Sequence, residues 1–429
     1  MKYIKKSGFG GVLQCYYDKI DQHLLTTLVE RWRPETHTFH LSFGEVTVTL
    51  QDVQMLWGLP LGNQVISCTN HRWEAPEKQE RCQRLLGLSL RGVDITNNTL
   101  RLSSLLEKNS GTVFPDHSGS TVYYYHLQNL ENFEECGKLS WGSAALAYLY
   151  RNLCKAAEPS AKEISGPLML LQLWAWERIP QIAPKIKETF QFDGPFGGRW
   201  RGSLSWSGVA KHSMAHYRSV FQCLNTDQFI WMPYVNAETQ INRRYKKGSA
   251  CWKCDTYLIY FEIVEPYVPS RVMRQFGLFQ TVPTNLLLTR EQHNTLHSYS
   301  GRTGLKDWKE HHEHFVAHWV NRMANIVTGS ACGGEYKASP EYMSWFLERT
   351  AFFVQNPSAQ TGTSTRDGNI GGRFEMLGQA LGEMHRMSSQ DNPYNVNDQL
   401  GGVQQLAAQY LNLAGAQHHL DYQTSHLAS

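Results

Sequence analysis

Charge of one sign is scarce in this chain: 41 Lys and Arg stand against 38 Asp and Glu, a formal net charge of +3 over 429 residues. Nucleic-acid binders usually show a strongly basic domain or stripe, so any such contact here has to come from a local cluster. Long apolar runs are missing too. The longest, Pro167 to Trp176, falls far short of the roughly 20 residues that span a bilayer, and no membrane partner is expected. The start, Met1-Lys2-Tyr3-Ile4-Lys5-Lys6-Ser7-Gly8, has charge with no apolar segment behind it, unlike a secretory leader. The nine cysteines are odd in number and irregular in spacing. That pattern excludes an evident disulfide framework and fits reduced thiols in the cytosol or nucleus. Internal repeats are absent, and no basic cluster matches a strong nuclear import signal.

What is present is material for a core. Apolar residues make up 41% and aromatics 12% of the chain, enough to pay for ordering it. The thirteen tryptophans all lie between Trp32 and Trp345, which marks the globular part. After about Asn356, Gly, Gln, Ser, Asn and Thr dominate, and Asn356 to Gly372 has the composition of a flexible linker. The expectation is one large, predominantly helical α+β domain over residues 8–355. It should carry short β-hairpins and a buried strand, and a polar, flexible Gly/Gln/Ser-rich tail should follow over 356–429.

Apolar spacing places the elements. Ile20, Leu24, Leu28 and Trp32 form a helical stripe that Pro34 ends. Alternation about Gly44, through Phe39 and Leu41 and then Val46 and Val48, predicts a half-buried hairpin. Thr49 with Asp52 predicts a capping box before a short helix that Gly58 and Pro60 stop. Helices are expected near Glu77 to Leu86, over Ser143 to Ala157, and over Pro167 to Arg178, the last apolar nearly all round. Asp193 to Gly208 reads as an irregular loop. Tyr257 to Val264 reads as one strand buried on both faces. Lys306 to Val327 reads as a long amphipathic helix with Trp308, Phe315, Trp319, Met323 and Ile326 inward. Ser339 should cap a last helix whose Met343, Phe346 and Phe353 point inward.

Several blocks together resemble the plant mobile domain family. Leu28-Val29-Glu30-Arg31-Trp32-Arg33-Pro34-Glu35-Thr36-His37-Thr38-Phe39-His40 is similar to its opening. Thr47 to Val53 with Leu56-Trp57-Gly58-Leu59-Pro60 continues it. Leu139 to Ala144, Leu170 to Glu177, Trp231-Met232-Pro233-Tyr234 and Arg271 to Gly277 match later blocks in order, over roughly Gly8 to Phe353. Phe43 and Trp57 depart from the usual residues at their positions. The resemblance implies a plant protein, spread with transposable elements and domesticated by host genomes. It also implies nuclear residence (otherwise cytoplasmic) and roles in transposon and gene silencing, genome stability and meristem maintenance. It implies protein partners, among them a phosphatase-like protein. The chain shows no metallophosphatase motif of its own, and no lysine in a cofactor-aldimine setting to match the family's "aminotransferase-like" label. No cofactor is expected.

Candidate chemistry is thin. His314 and His318 lie four apart beside His311-His312-Glu313, a workable metal spacing, but the polar flank of a core helix explains them as well. Cys251 and Cys254 form a Cys-x-x-Cys pair that could be completed by His293 and His297, at a spacing no common zinc finger uses. The helix after Thr49 lacks the second helix of a DNA-reading pair, which favours a core-packing role. Gly194 to Arg199 lacks the ending of a phosphate loop. Arg243, Arg244, Lys246 and Lys247 surround Tyr245 in the densest basic patch, to which Arg271 and Arg274 could add. Cations beside an aromatic suit phosphate contact with base stacking. The expected function is a non-catalytic nuclear scaffold or adaptor. The alternatives are a transposon-encoded nucleic-acid-binding module and an enzyme with a degenerate site.

Overall fold

The computed structural model describes residues 7–15, 19–67, 74–86, 95–96, 99–101, 121–123, 128–129, 131–187, 194–202, 204–207, 213–235, 243–284, 288–299 and 307–350. The chain divides into two units, Met1–Phe352 and Phe353–Ser429. The second, which holds the tail expected over 356–429, lies outside the described residues.

Helix α1 (Gln22–Arg31) starts where the Asp21 carboxylate accepts from the His23 and Leu24 amides at 3.0 and 3.1 Å. Its Leu24, Leu25 and Leu28 are fully buried. Strands β1 (Trp32–Arg33), β2 (Thr38–Leu41) and β3 (Gly44–Val46) follow as an antiparallel meander with Trp32 opposite Phe39 and Phe39 opposite Val46. The half-buried hairpin expected here is corrected: β2 is buried on both faces. The C-terminal segment covers the polar face, with the Glu45 amide donating to Tyr342 Oη at 3.0 Å and His40 Nδ1 bonded to Thr350 Oγ1 at 3.0 Å.

Helix α2 (Leu50–Trp57) carries the capping box of Thr49 and Asp52 and ends at Gly58, which takes the left-handed φ of +67°. All eight of its residues are buried, so no face of it is presented to DNA. Helix α3 (Ala75–Leu86) precedes a second antiparallel meander, β4 (Ile95–Thr96), β5 (Thr99–Arg101) and β6 (Thr121–Tyr123). After the short α4 (Phe133–Cys136), helices α5 (Trp141–Ala156) and α6 (Leu168–Arg178) form the middle of the core. Every residue from Met169 to Arg178 is buried, as an all-round apolar helix requires.

Strands β7 (Lys185–Ile186) and β8 (Leu204–Ser205) pair around a 3-10 turn, Phe196–Arg201, where a loop was expected. Glycine is required at 197, because a Cβ there would stand 2.4 Å from the Leu56 carbonyl oxygen. Helix α7 (Met214–Cys223) is tied to the start of α1 by Tyr217 Oη, which donates to Asp21 at 2.6 Å.

Strands β9 (Thr256–Tyr260) and β10 (Ile263–Tyr267) replace the single strand expected over Tyr257 to Val264. They form a hairpin that reverses at Phe261, whose φ is +51°. Helix α5 packs across both strands. Helix α8 (Arg290–Ser298) opens on a second capping box, Thr289 with Gln292. The long helix expected from Lys306 to Val327 is also corrected: it is α9 (Trp308–His311), α10 (Glu313–Val320) and a 3-10 turn, Arg322–Asn325. The break falls at His312, whose buried ring stacks on Trp308 at 5.4 Å instead of facing solvent. Trp308 and Trp319 point inward as expected, but Met323 and Ile326 are 45% and 36% exposed. Helix α11 (Pro340–Leu347), capped by Ser339, buries Phe346, while Phe353 lies outside the described residues.

Six tryptophans, Trp32, Trp57, Trp174, Trp231, Trp308 and Trp319, are among the largest fully buried side chains. Burial of a large apolar side chain stabilises by about 1.5–3 kcal/mol. Segments spread from the N-terminal meander to α10 are joined in this way into one core.

Candidate functional site

The densest set of chemically versatile side chains surrounds Glu265, on β10 inside an apolar stretch. Its Oε1 receives the Arg151 Nε and lies 3.0 Å from His297 Nε2. Its Oε2 lies 3.1 Å from His37 Nε2 and 3.3 Å from His293 Nε2. The two imidazole nitrogens of His37 and His293 are 3.2 Å apart. Cys154 Sγ completes a group whose ligand atoms all lie within 4.8 Å of one another: His37, Cys154, Glu265 and His293. It is the one group of three or more His, Cys, Asp and Glu ligand atoms this close among the described residues.

Local structure places each member. Arg151 and Cys154 are three apart on α5 and share a face, as do His293 and His297, four apart on α8. His37 sits in the turn between β1 and β2 at a φ of +52°, rare for a residue with a Cβ. The Arg33 carbonyl holds that turn by accepting from the Thr36 and His37 amides. Glu265 and Cys154 are buried and His293 is 13% exposed.

Burial alone would raise the Glu265 carboxyl. The Arg151 guanidinium and the close imidazoles of His293, His297 and His37 overcome it and hold the group well below the usual carboxylate range. Burial pushes the Cys154 thiol well up, with the Glu265 charge adding to it, while the Trp32 indole N–H donates to Sγ at 3.4 Å. Burial lowers His297 despite the adjacent carboxylate.

The residues singled out in the sequence are distributed otherwise. His293 and His297 turn to Glu265 and do not complete a site with Cys251 and Cys254. Those two cysteines are buried around a 3-10 turn just before β9, and burial raises both thiols. His314 is exposed, while His318 Nδ1 bonds Thr256 Oγ1 at 3.1 Å. Arg274 is 2% exposed, with its guanidinium 4.2 Å above the Trp231 ring and donating to the Phe43 carbonyl. Arg271 donates to the buried Glu45 carboxylate at 2.9 Å. Both arginines neutralise and cap interior groups, so the expectation that they extend a phosphate-binding patch is corrected. Lys246 and Lys247 do reach the surface, at the end of a 3-10 turn over Arg243–Lys246, Lys246 half-buried and Lys247 exposed. Lys247 lines a cleft of about 530 Å³ together with Lys138, Gly8, Gly58, Gly62 and Gly248. A second cleft, about 470 Å³, is lined by Asn63, Gln64, Asn132, Lys309, Val316 and Val320.

His37, Arg151, Cys154 and Glu265 went unnoticed in the sequence. The available signal was a carboxylate at 265 inside an apolar strand, since an unpaired charge there would be too costly to keep.

Fold and site together define a mostly helical α+β protein whose ionisable clusters sit inside the core, and among the described residues no helix is long and apolar enough to cross a membrane. The plant mobile domain profile matches residues 8–347, and the chain belongs to that family. It is 34% identical to a serine/threonine-protein phosphatase 7 long form homolog of Arabidopsis thaliana, over 89% of this chain and 30% of the relative. Protein MAIN-LIKE 2 of the same plant is 30% identical, over 82% of this chain and 55% of the relative. Protein MAINTENANCE OF MERISTEMS is 29% identical, over 80% and 73%. The chain thus spans about a third of the first of these and about half of the second. No solved structure matches.

Proposed function

We propose that this chain works as a nuclear scaffold or adaptor in transposon and gene silencing, genome stability and meristem maintenance, and that it does so by holding protein partners. The observation that carries this is the exposed apolar run at the end of α10. Val320, Met323 and Ile326 recur every three residues and are 57%, 45% and 36% exposed. Val320 also borders the 470 Å³ cleft. Isolated surface apolar residues need no explanation, but a row of them beside a cleft has the character of a protein-docking surface. A phosphatase-like protein is the first partner to test, because one relative carries that name and this chain matches only 30% of its length. Tagged protein recovered from plant nuclei should carry such a partner, and Val320→Asp with Met323→Asp should release it without changing the melting temperature. An unchanged set of bound proteins in that variant would sink the assignment of the surface.

Nucleic-acid contact is the second function to test, favoured by Lys247 and Lys138 on one glycine-lined cleft. Labelled DNA or RNA should then be shifted in a salt-dependent way, and glutamate at Arg243, Arg244, Lys246 and Lys247 should abolish the shift.

A further inference from the structure

We propose that His37, Cys154, Glu265 and His293 together bind one divalent transition-metal ion, for which zinc is the best chemical match.

The tautomer of His37 is the starting point. Its Nδ1 lies 2.9 Å from the Pro266 carbonyl oxygen. A carbonyl only accepts, so Nδ1 carries the hydrogen, and the neutral ring presents a lone pair at Nε2. That lone pair faces Glu265 Oε2 at 3.1 Å and His293 Nε2 at 3.2 Å. Three potential ligand atoms therefore converge, and either a ring N–H hydrogen of His293 or a cation has to lie among them. A proton on an imidazole is one solution. A metal ion is the other, and the spacing of the three nitrogen and oxygen atoms fits it, with Cys154 Sγ within 4.8 Å of each. Zinc–nitrogen bonds of about 2.0–2.1 Å at tetrahedral angles set neighbouring ligand atoms about 3.3 Å apart. The triangle of His37 Nε2, His293 Nε2 and Glu265 Oε2 has edges of 3.1, 3.2 and 3.3 Å.

The surroundings match those of ligands held from outside. A metal-bound histidine typically donates its other ring N–H to a carbonyl or carboxylate, as His37 does to Pro266. Arg151 holds Glu265 by Oε1, and His297 Nε2 reaches both carboxylate oxygens, at 3.0 Å from Oε1 and 3.3 Å from Oε2, the oxygen that faces the other ligands. The Trp32 indole N–H points at the Cys154 sulfur, an arrangement that stabilises a thiolate. Mixed nitrogen, sulfur and oxygen donors suit zinc, and four protein ligands in a buried setting describe a closed, structural site. Such an ion would join the β1–β2 turn, α5, β10 and α8, four elements distant in sequence. Binding converts the Cys154 thiol to thiolate and releases its proton to solvent. The left-handed backbone of His37, costly for a side-chain-bearing residue, is then held in place by the ligand bond.

The test uses the full chain. Protein dialysed against zinc chloride and desalted should retain about one zinc per chain, as a closed four-ligand site requires. Protein loaded with cobalt(II) should show tetrahedral d–d bands and a sulfur-to-metal charge-transfer band. Cys154→Ser should remove the charge-transfer band, and His293→Gln should weaken zinc binding at least about 10–100-fold. Cys251→Ser and His314→Ala should leave both readouts unchanged. Because a core substitution can unfold the protein, the unaltered chain is decisive by itself. Failure to retain metal, or a cobalt spectrum without the sulfur band, overturns the assignment. So does a sulfur band that survives Cys154→Ser and vanishes in Cys251→Ser.

Discussion

Two buried carboxylates in this protein are satisfied in opposite ways. Asp52 is surrounded by obligate donors: Arg178 and the Tyr234 hydroxyl at 2.7 and 2.8 Å on Oδ1, and the Thr49 amide and hydroxyl at 2.7 Å on Oδ2. Such a group needs nothing further. Glu265 has one obligate donor, Arg151, and three imidazoles that donate only when a proton sits on the facing nitrogen. The first arrangement fixes a fold. The second keeps a capacity for a cation and so has the makings of a site.

The sharpest way to break this comparison is at the closed pair. Arg178→Met leaves the Asp52 charge unneutralised in the core and should cost about 3–5 kcal/mol, read as a lower urea midpoint. A cost below the usual surface-pair value of about 1 kcal/mol would mean that Asp52 is not the closed centre described here. Next in size is linkage to metal. Zinc at a hundredfold its Kd should stabilise the unaltered chain by about 2.7 kcal/mol and raise its melting temperature. The gain should vanish in Glu265→Gln but persist in Thr49→Ala.

The third measurement is acid unfolding. The folded Glu265 carboxyl is held below its ordinary value, so its contribution is complete above about pH 4.3 and is lost as pH falls through the lower folded value. The loss amounts to about 1.4 kcal/mol for each unit of depression. The groups facing it are Arg151, His37, His293, His297 and Cys154, with Lys155 on the same helix. Glu265→Gln should therefore flatten the stability curve below pH 4.3, relative to its own neutral value. Part of the slope will remain, because Glu45 is also depressed: burial opposes this, and His40 and Arg271 prevail. The last effect is at the helix cap, where Thr49→Ala should cost about 1–3 kcal/mol by calorimetry, because the hydroxyl both caps α2 and donates to the buried Asp52 carboxylate.

Helices with local signals were legible. α1, α2, α5, α6 and α11 follow from apolar spacing, the Ser339 cap and a capping box, all set by residues within a turn or two of each other. The reversal at Phe261 was not legible, because no glycine or asparagine marks it and both flanking strands are apolar. The break at His312 was hidden for a related reason: the Trp308 ring decides it by stacking. Arginines misled for lack of context. Arg274 on Trp231 and Arg271 on Glu45 look like surface cations until the core is assembled around them. The Glu265 centre brings together positions 37, 151, 154, 265, 293 and 297, and only the two pairs within α5 and α8 have a helical spacing to recognise.

By itself, the sequence determined the helical character, the caps, the tryptophan-rich interior and membership of the plant mobile domain family, because each is written in neighbouring residues or in ordered blocks. Only the tertiary structure decided which charges face inward and which histidines meet. Those outcomes depend on contacts between residues more than a hundred positions apart, and no local spacing encodes the distance across a folded core.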